Sequence, residues 1–228
     1  MLITTDASIF EINPKKVIHP SSRNDLIISI RELLKQQQQF TMRAGGTSIG
    51  GQAIGEGVIV DISKHLTNII DFCKNKKEIV VEPGIIQDDL NLFLKPYNLK
   101  FAPDTSTSNR AMIGGMIGNN SCGAYSIFYG TTRDHVKSVE VILSDGGLVE
   151  FKELTTKELD DKLSMQTLEG DIYRFVINLL NNNQQEILNA FPDESLIRRN
   201  TGYALDELIH KYKPFNKNGK RFNLASLI

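Results

Sequence analysis

Cysteine is scarce in this chain. Cys73 and Cys122 are its only two, far apart and outside any CxxC pattern. That excludes a disulfide framework and points to reduced thiols in a cytoplasmic protein. Neither sign of charge is in excess: 26 Lys and Arg face 27 Asp and Glu, for a net charge of -1, and no Lys/Arg run occurs. A nucleic-acid partner is therefore not expected. No apolar run approaches the ~20 residues that cross a bilayer, so no transmembrane segment is expected. Met1-Leu-Ile-Thr-Thr-Asp6 has neither the basic stretch nor the apolar core of a secretory signal. His19, His65, His135 and His210 stand in no HExxH or HxxxH spacing, which argues against a metal site.

What is present suits a soluble globular fold. At 228 residues, 40% hydrophobic and 23% charged, the chain can bury a core without covalent or metal support. Ser22 is placed to cap a helix whose inner face is Leu26, Ile27, Ile30, Leu33 and Leu34, with Gln36 to Gln39 fraying its end. Short strands are expected at Phe40–Arg43, Val58–Ile62 and Glu78–Glu82, the last stopped by Pro83-Gly84. A helix from Gln87 should turn Leu90, Phe93 and Leu94 inward and end before Pro96. Further on, Val139–Leu143 and Leu148–Phe151 flank Ser144-Asp-Gly-Gly147, a hairpin signal. Helical patterns then run from Leu154 to Leu163 and from Asp171 to about Asn181. The second should bury Ile172, Phe175, Val176, Leu179 and Leu180.

Of the 17 glycines, six lie between Gly45 and Gly57 and seven between Gly114 and Gly147. Glycine is costly in regular structure, so such clusters mark sharp turns or close approaches. In Arg43-Ala44-Gly45-Gly46-Thr47-Ser48-Ile-Gly-Gly51-Gln52, a strand runs into a Gly-rich turn whose N–H groups could form an anion-binding nest. Thr47, Ser48 and Gln52 would add donors and Arg43 a positive charge, an inventory that suits a pyrophosphate. The glycine spacing is that of a P-loop, but Gln52-Ala53 stands where Lys-Ser/Thr is required, so an ATPase is excluded. No GxGxxG opens a helix after a strand, which disfavours a Rossmann site. On spacing alone, a phosphate cradle and a purely structural turn both remain open. The second cluster, Ala102 to Gly123, offers Asn, Ser and Thr side chains but no strong acid or base besides Asp104. It fits the binding of a large polar cofactor better than proton transfer, with a well-packed connection as the alternative.

The order Arg43-Ala-Gly-Gly-Thr-Ser48, Val80-Val-Glu-Pro-Gly84, Pro103-Asp104, Ile113-Gly-Gly115, Asn119-Asn120, Tyr129-Gly130 and Val139-Glu-Val-Ile-Leu-Ser-Asp-Gly146 resembles the FAD-binding domain of the p-cresol methylhydroxylase/vanillyl-alcohol oxidase superfamily. It is most similar to the branch of D-lactate dehydrogenase, glycolate oxidase and D-2-hydroxyglutarate dehydrogenase. The resemblance implies an α+β fold of two subdomains, residues 1–98 and 99–228, the second with a mostly antiparallel sheet and FAD between them. It implies non-covalent FAD, because Thr47 stands where flavinylated members carry the attaching histidine. The implied pyrophosphate contacts are Arg43, Ala44, Gly45, Gly46, Thr47, Ser48, Gly51 and Gln52, with Pro103, Asp104, Ser108 and Gly114 beside them. Gly114, Gly115, Asn120 and Gly123 would follow the ribityl chain and flavin, with Asn119 also implied as a cofactor contact.

The implied activity is flavin-linked oxidation of a 2-hydroxy acid. Catalytic residues are expected from a later substrate-binding domain rather than from His135 or Cys122. Arg199-Asn-Thr-Gly-Tyr-Ala-Leu-Asp206 resembles a stretch that leads, in that family, into a Gly-Ser-Glu-Gly-Thr-Leu-Gly segment, which does not appear here. The chain is accordingly expected to be a truncated flavin domain, inactive alone. An iron–sulfur domain or subunit is a candidate electron acceptor. A sugar-nucleotide reductase, an alkyl-glycerone-phosphate synthase type enzyme and a cofactor-free binding module are the alternatives.

Overall fold

The structure, a computed structural model, describes residues 3–196 and 202–228. The chain divides into two compact units, residues 1–125 and 126–228. In the first, β1 (Lys16–Ile18), β2 (Phe40–Arg43) and β3 (Val58–Asp61) form a parallel sheet in the order β1-β3-β2. All four residues of the central strand β3 are buried, which explains its unbroken apolar run. Between β1 and β2 runs α1 (Arg23–Lys35). The Ser22 hydroxyl accepts from the Asp25 N–H at 3.2 Å, capping the helix, and Ile27, Ile30 and Leu33 are buried. The glutamine run ends it: Gln36 is the C-cap and Gln37 takes a φ of +52°.

A second core in this unit lies beneath the antiparallel pair β4 (Ile69–Cys73) and β5 (Glu78–Val81). There α2 (Gln87–Leu94) places Leu90 and Leu94 against Ile85, Ala111, and Ile113 and Met116 of α3 (Ile113–Gly118). Phe93, expected inward, is instead 36% exposed and meets the Phe72 ring edge-on at 5.5 Å. Ala111, Ile113 and Met116 complete this core, and the first compact unit extends to Tyr125.

The second unit begins with the short helix α4 (Ser126–Tyr129). Then β6 (Ser138–Ile142) and β7 (Leu148–Lys152) form the expected hairpin, in register from Ser138 opposite Lys152 to Ile142 opposite Leu148. Three helices follow: α5 (Thr156–Ser164), α6 (Leu168–Ala190) and α7 (Leu205–Lys211). Phe151, Tyr173, Val176, Leu180, Leu208, Phe222 and Leu224 are the centre of their shared core. Residues Arg199 to Thr201 of the stretch singled out above lie outside the described residues.

Helix α6 departs from its expected form twice. Its buried positions are Glu169, Gly170, Tyr173, Val176, Leu180 and Ile187, while Phe175 is 67% exposed. Phe175 is one residue, about 100° of helical turn, from the Val176 row, so the helical period carries it off the face. The helix also continues to Ala190, through a kink at Asn183 (φ -128°, ψ 21°), where the side-chain amide donates to the Leu179 carbonyl at 2.9 Å.

Helix α5 carries a reciprocal cap. The Thr155 hydroxyl accepts from the Glu158 N–H, and the Glu158 carboxylate accepts from the Thr155 N–H at 2.7 Å. Thr155→Ala should lower stability by about 1 kcal/mol, read as a shift of the urea midpoint. An unmoved midpoint would show the cap to be idle. Among the described residues, no helix is long and apolar enough to cross a membrane.

Candidate cofactor site

A cleft of about 340 Å³ opens beyond the carboxyl ends of the parallel strands. His19 follows β1; Arg43, Ala44 and Gly45 end and follow β2; Asp61, Ser63 and Lys64 end and follow β3. Ile3, Ile86, Arg110 and Met112 complete its wall. Carboxyl ends of parallel strands are the usual ligand site in α/β sheets, because the turns there are free to vary without disturbing the core.

The first glycine cluster begins at this rim. Gly46 takes a left-handed φ of +60°. A Cβ on Gly45 would stand 2.2 Å from the Arg110 carbonyl oxygen, and one on Gly115 would lie 3.5 Å from the Ala44 Cβ. Gly114 packs on Pro83, where a Cβ would come within 2.6 Å of the proline ring. The two glycine clusters and the Pro83-Gly84 turn are thus brought together, at Gly45 and Gly114 by contacts that tolerate no side chain and at Gly115 by an ordinary one. Among the described residues, the N–H groups of Gly45, Gly46, Thr47 and Ser48 find no protein acceptor. Four adjacent donors without partners around a left-handed glycine form a cradle suited to an anion.

The side chains expected to help are differently employed. Arg43 is 2% exposed, and its guanidinium donates to the carbonyls of Ala53 at 3.1 Å and Thr5 at 2.9 Å. It holds the loop from within. Ser48 donates to Asp6 at 2.7 Å, and the Gln52 carboxamide accepts from the Gly50 N–H at 3.1 Å. Gly51, with φ +80°, packs under Phe10. Burial pushes the Asp6 carboxyl up, but hydrogen bonds from the Ser8 and Ser48 hydroxyls and from the Ser8 and Ala53 N–H groups outweigh it and hold it below the usual carboxylate range.

A carboxyl lowered in this way stabilises the folded form above its ordinary value, and that contribution disappears as pH falls through the lowered one. Between about pH 5 and pH 3, the thermal midpoint of the wild type should therefore fall more steeply than that of Asp6→Asn. Parallel curves would show that Asp6 ties nothing down.

The charges facing the cleft come from residues that sequence patterns did not single out. The Arg110 side chain makes no hydrogen bond or ion pair among the described residues, its backbone N–H donating to the Thr107 carbonyl at 2.9 Å. Lys64 Nζ is 3.1 Å from His19 Nε2, while His19 Nδ1 lies 3.2 Å from a carboxylate oxygen of buried Asp61 without hydrogen-bond alignment. The remaining predicted residues line the second cluster. Pro103 and Asn120 are buried, Asp104, Ser108, Gly115 and Gly123 half-buried, and Asn119 exposed. Asp104 accepts from the Tyr125 N–H at 2.9 Å. His135, in the second unit, is tied to the Tyr129 carbonyl at 2.8 Å. Cys122 is a half-buried free thiol.

The unpartnered N–H cradle, the adjoining cleft and the cation Arg110 fit the diphosphate of a dinucleotide. The family described as FAD binding domain matches residues 14–152. The D-2-hydroxyglutarate dehydrogenase of Escherichia coli (strain K12) is 35% identical over 231 residues, spanning 100% of this chain and 22% of the relative. The glycolate oxidase subunit GlcD of Bacillus subtilis (strain 168) is 29% identical over 141 residues, 61% of this chain and 30% of the relative. Among solved structures, an alkyldihydroxyacetonephosphate synthase superposes with a TM-score of 0.56 at 18% identity, covering 60% of this chain and 28% of that one. That likeness is one of fold, the α+β flavin fold of p-cresol methylhydroxylase type. The chain spans 22% of the length of the first curated relative named here.

Proposed function

Because this chain belongs to the FAD binding domain family, we propose that it is the flavin-holding part of a dehydrogenase that oxidises a 2-hydroxy acid, D-2-hydroxyglutarate foremost. The cofactor is FAD. One observation carries the substrate reading: similarity to D-2-hydroxyglutarate dehydrogenase runs through the whole chain, whereas similarity to the glycolate oxidase subunit covers 61% of it. The synthase alternative is supported by fold alone, at 18% identity.

In this reading, the N–H groups of Gly45 to Ser48 bind the diphosphate, with Arg110 supplying charge. Arg43 keeps the cradle in shape from below. Pro103, Asp104, Ser108, Gly114, Gly115, Asn119, Asn120 and Gly123 border the rest of the cofactor, with Gly51 and Gln52 closing the far end of the first loop. Bound FAD would supply the acceptor for the two electrons that leave the substrate α-carbon as a hydride. The substrate carboxylate and the hydroxyl proton are, in this reading, handled by residues of a substrate-binding part outside these. The electron acceptor in this reading is an iron–sulfur domain or subunit outside these residues. The two free thiols support a cytoplasmic setting.

The parent protein, freed of oxygen, should show flavin bleaching with D-2-hydroxyglutarate and weaker or no bleaching with D-lactate and glycolate. Silence towards every 2-hydroxy acid would remove the dehydrogenase reading. The flavin should also be held without a covalent bond, Thr47 being no usual attachment residue. Acid precipitation should leave a colourless pellet and a yellow supernatant; flavin mass on a peptide would refute this.

A further inference from the structure

Helix α2 carries two carboxamides one turn apart, Gln87 and Asn91, and neither contacts the cleft. Gln87 is 1% exposed, unusual for a glutamine at the start of a short helix. Both ends of its side chain are used. Nε2 donates to the Pro103 carbonyl, and Oε1 accepts from the Thr105 hydroxyl at 3.1 Å. Its backbone N–H donates to the Ala111 carbonyl at 2.9 Å, and that of Asp88 to the Ser108 carbonyl at 3.1 Å. Asn91 grips the same segment further up: Oδ1 accepts from the Phe101 N–H at 2.7 Å, and Nδ2 donates to its carbonyl at 3.4 Å.

Asp104 therefore sits between two residues fixed by one buried side chain. It transmits that position onward. A Cβ on Gly123 would fall 1.3 Å from the Asp104 carbonyl oxygen, so the two backbones are in direct contact, and the Asp104 carboxylate accepts from the Tyr125 N–H. The run from Gln87 through Asp104 to Gly123 is continuous in hydrogen bonds and contact.

We propose that Gln87 is the positioning residue of the flavin cradle, with Asn91 as its second: it fixes residues 103–105 and, through Asp104, residues 121–125. This rests on the reading that these segments border FAD. A buried carboxamide is suited to the task because it presents one donor and one acceptor in a fixed plane, which no apolar residue of equal volume can do.

The test uses the 228-residue chain. In Gln87→Leu without flavin, amide exchange should rise at least tenfold across residues 101–111 and 121–125, while α1 and the β6–β7 hairpin exchange as in wild type. With FAD, the Kd should weaken at least tenfold and the flavin absorption band should shift. Gln87→Glu preserves volume and carries the test if the leucine variant does not fold. As a carboxylate it repels the Pro103 carbonyl; once protonated it can donate to it. Its affinity relative to wild type should therefore recover as pH is lowered. Unchanged exchange in both variants overturns the proposal whatever the flavin does. Raised exchange with wild-type affinity and spectrum overturns the positioning of the cofactor. Failure of the wild type to take up FAD overturns the functional reading and the positioning role together, while the exchange data still decide whether Gln87 holds the segment.

Discussion

Gly46→Val should abolish flavin retention while leaving the chain folded. A left-handed φ of +60° costs an ordinary residue roughly 1–2 kcal/mol, and β-branching makes it worse. The new Cβ would also stand 2.5 Å from a guanidinium nitrogen of Arg43 and 2.9 Å from its central carbon. Arg43 cannot swing aside, because it is buried and bonded to Thr5 and Ala53. The loop itself must move, and with it the four unpartnered N–H groups. Gel filtration with FAD should yield a colourless protein peak, with far-UV circular dichroism close to wild type. Gly50→Ala is the control, since its Cβ meets only the exposed Gln52 side chain. A folded Gly46→Val protein that stays yellow would show the loop to be structural only.

Arg43→Met tests the other half of that account. If the guanidinium served the cofactor, its loss would weaken FAD binding and leave the apo protein intact. The structure assigns it instead to two carbonyl oxygens, that of Ala53 in the loop and that of Thr5 in the N-terminal segment, each charge-assisted bond contributing about 1.5–3 kcal/mol. The apo chain should therefore lose about 3–5 kcal/mol, seen as a lower urea midpoint with or without flavin. Arg43→Lys should recover only part, because a single ammonium lacks the planar fork that spans both acceptors. Wild-type stability in apo Arg43→Met would return the arginine to the cofactor.

Much of this was legible in the residues, for reasons that can be named. Ser22, the run from Val58 to Asp61 and the Ser144-to-Gly147 turn carry local signals strong enough to survive tertiary context. Strand β1 is three residues long and carries none. Helix α3, Ile-Gly-Gly-Met-Ile-Gly, contradicts helix propensity and exists because Ile113 and Gly114 donate to the carbonyls of Ile85 and Pro83. The glycine clusters marked the sharp turns and close backbone approaches beside the cleft. What they could not announce was which side chains face it. His19 and Lys64 meet there because β3 lies beside β1, and Arg110 reaches the same rim where its carbonyl packs on Gly45, arrangements no local pattern encodes.

The order of that sheet also constrains how the protein could be altered or labelled. Strands β2 and β3 are parallel neighbours, so residues 44–57 must travel back along the full length of the sheet, a task usually given to a helix. The return ends where Gly57 presses on the Gln39 backbone. Between the departure and that landing, Ile49 is 84% exposed and Gly50 also faces solvent. A short insertion or a fluorophore placed there would ride on the turn without entering a strand, and a dye at this address would report cofactor arrival by quenching from a few residues away.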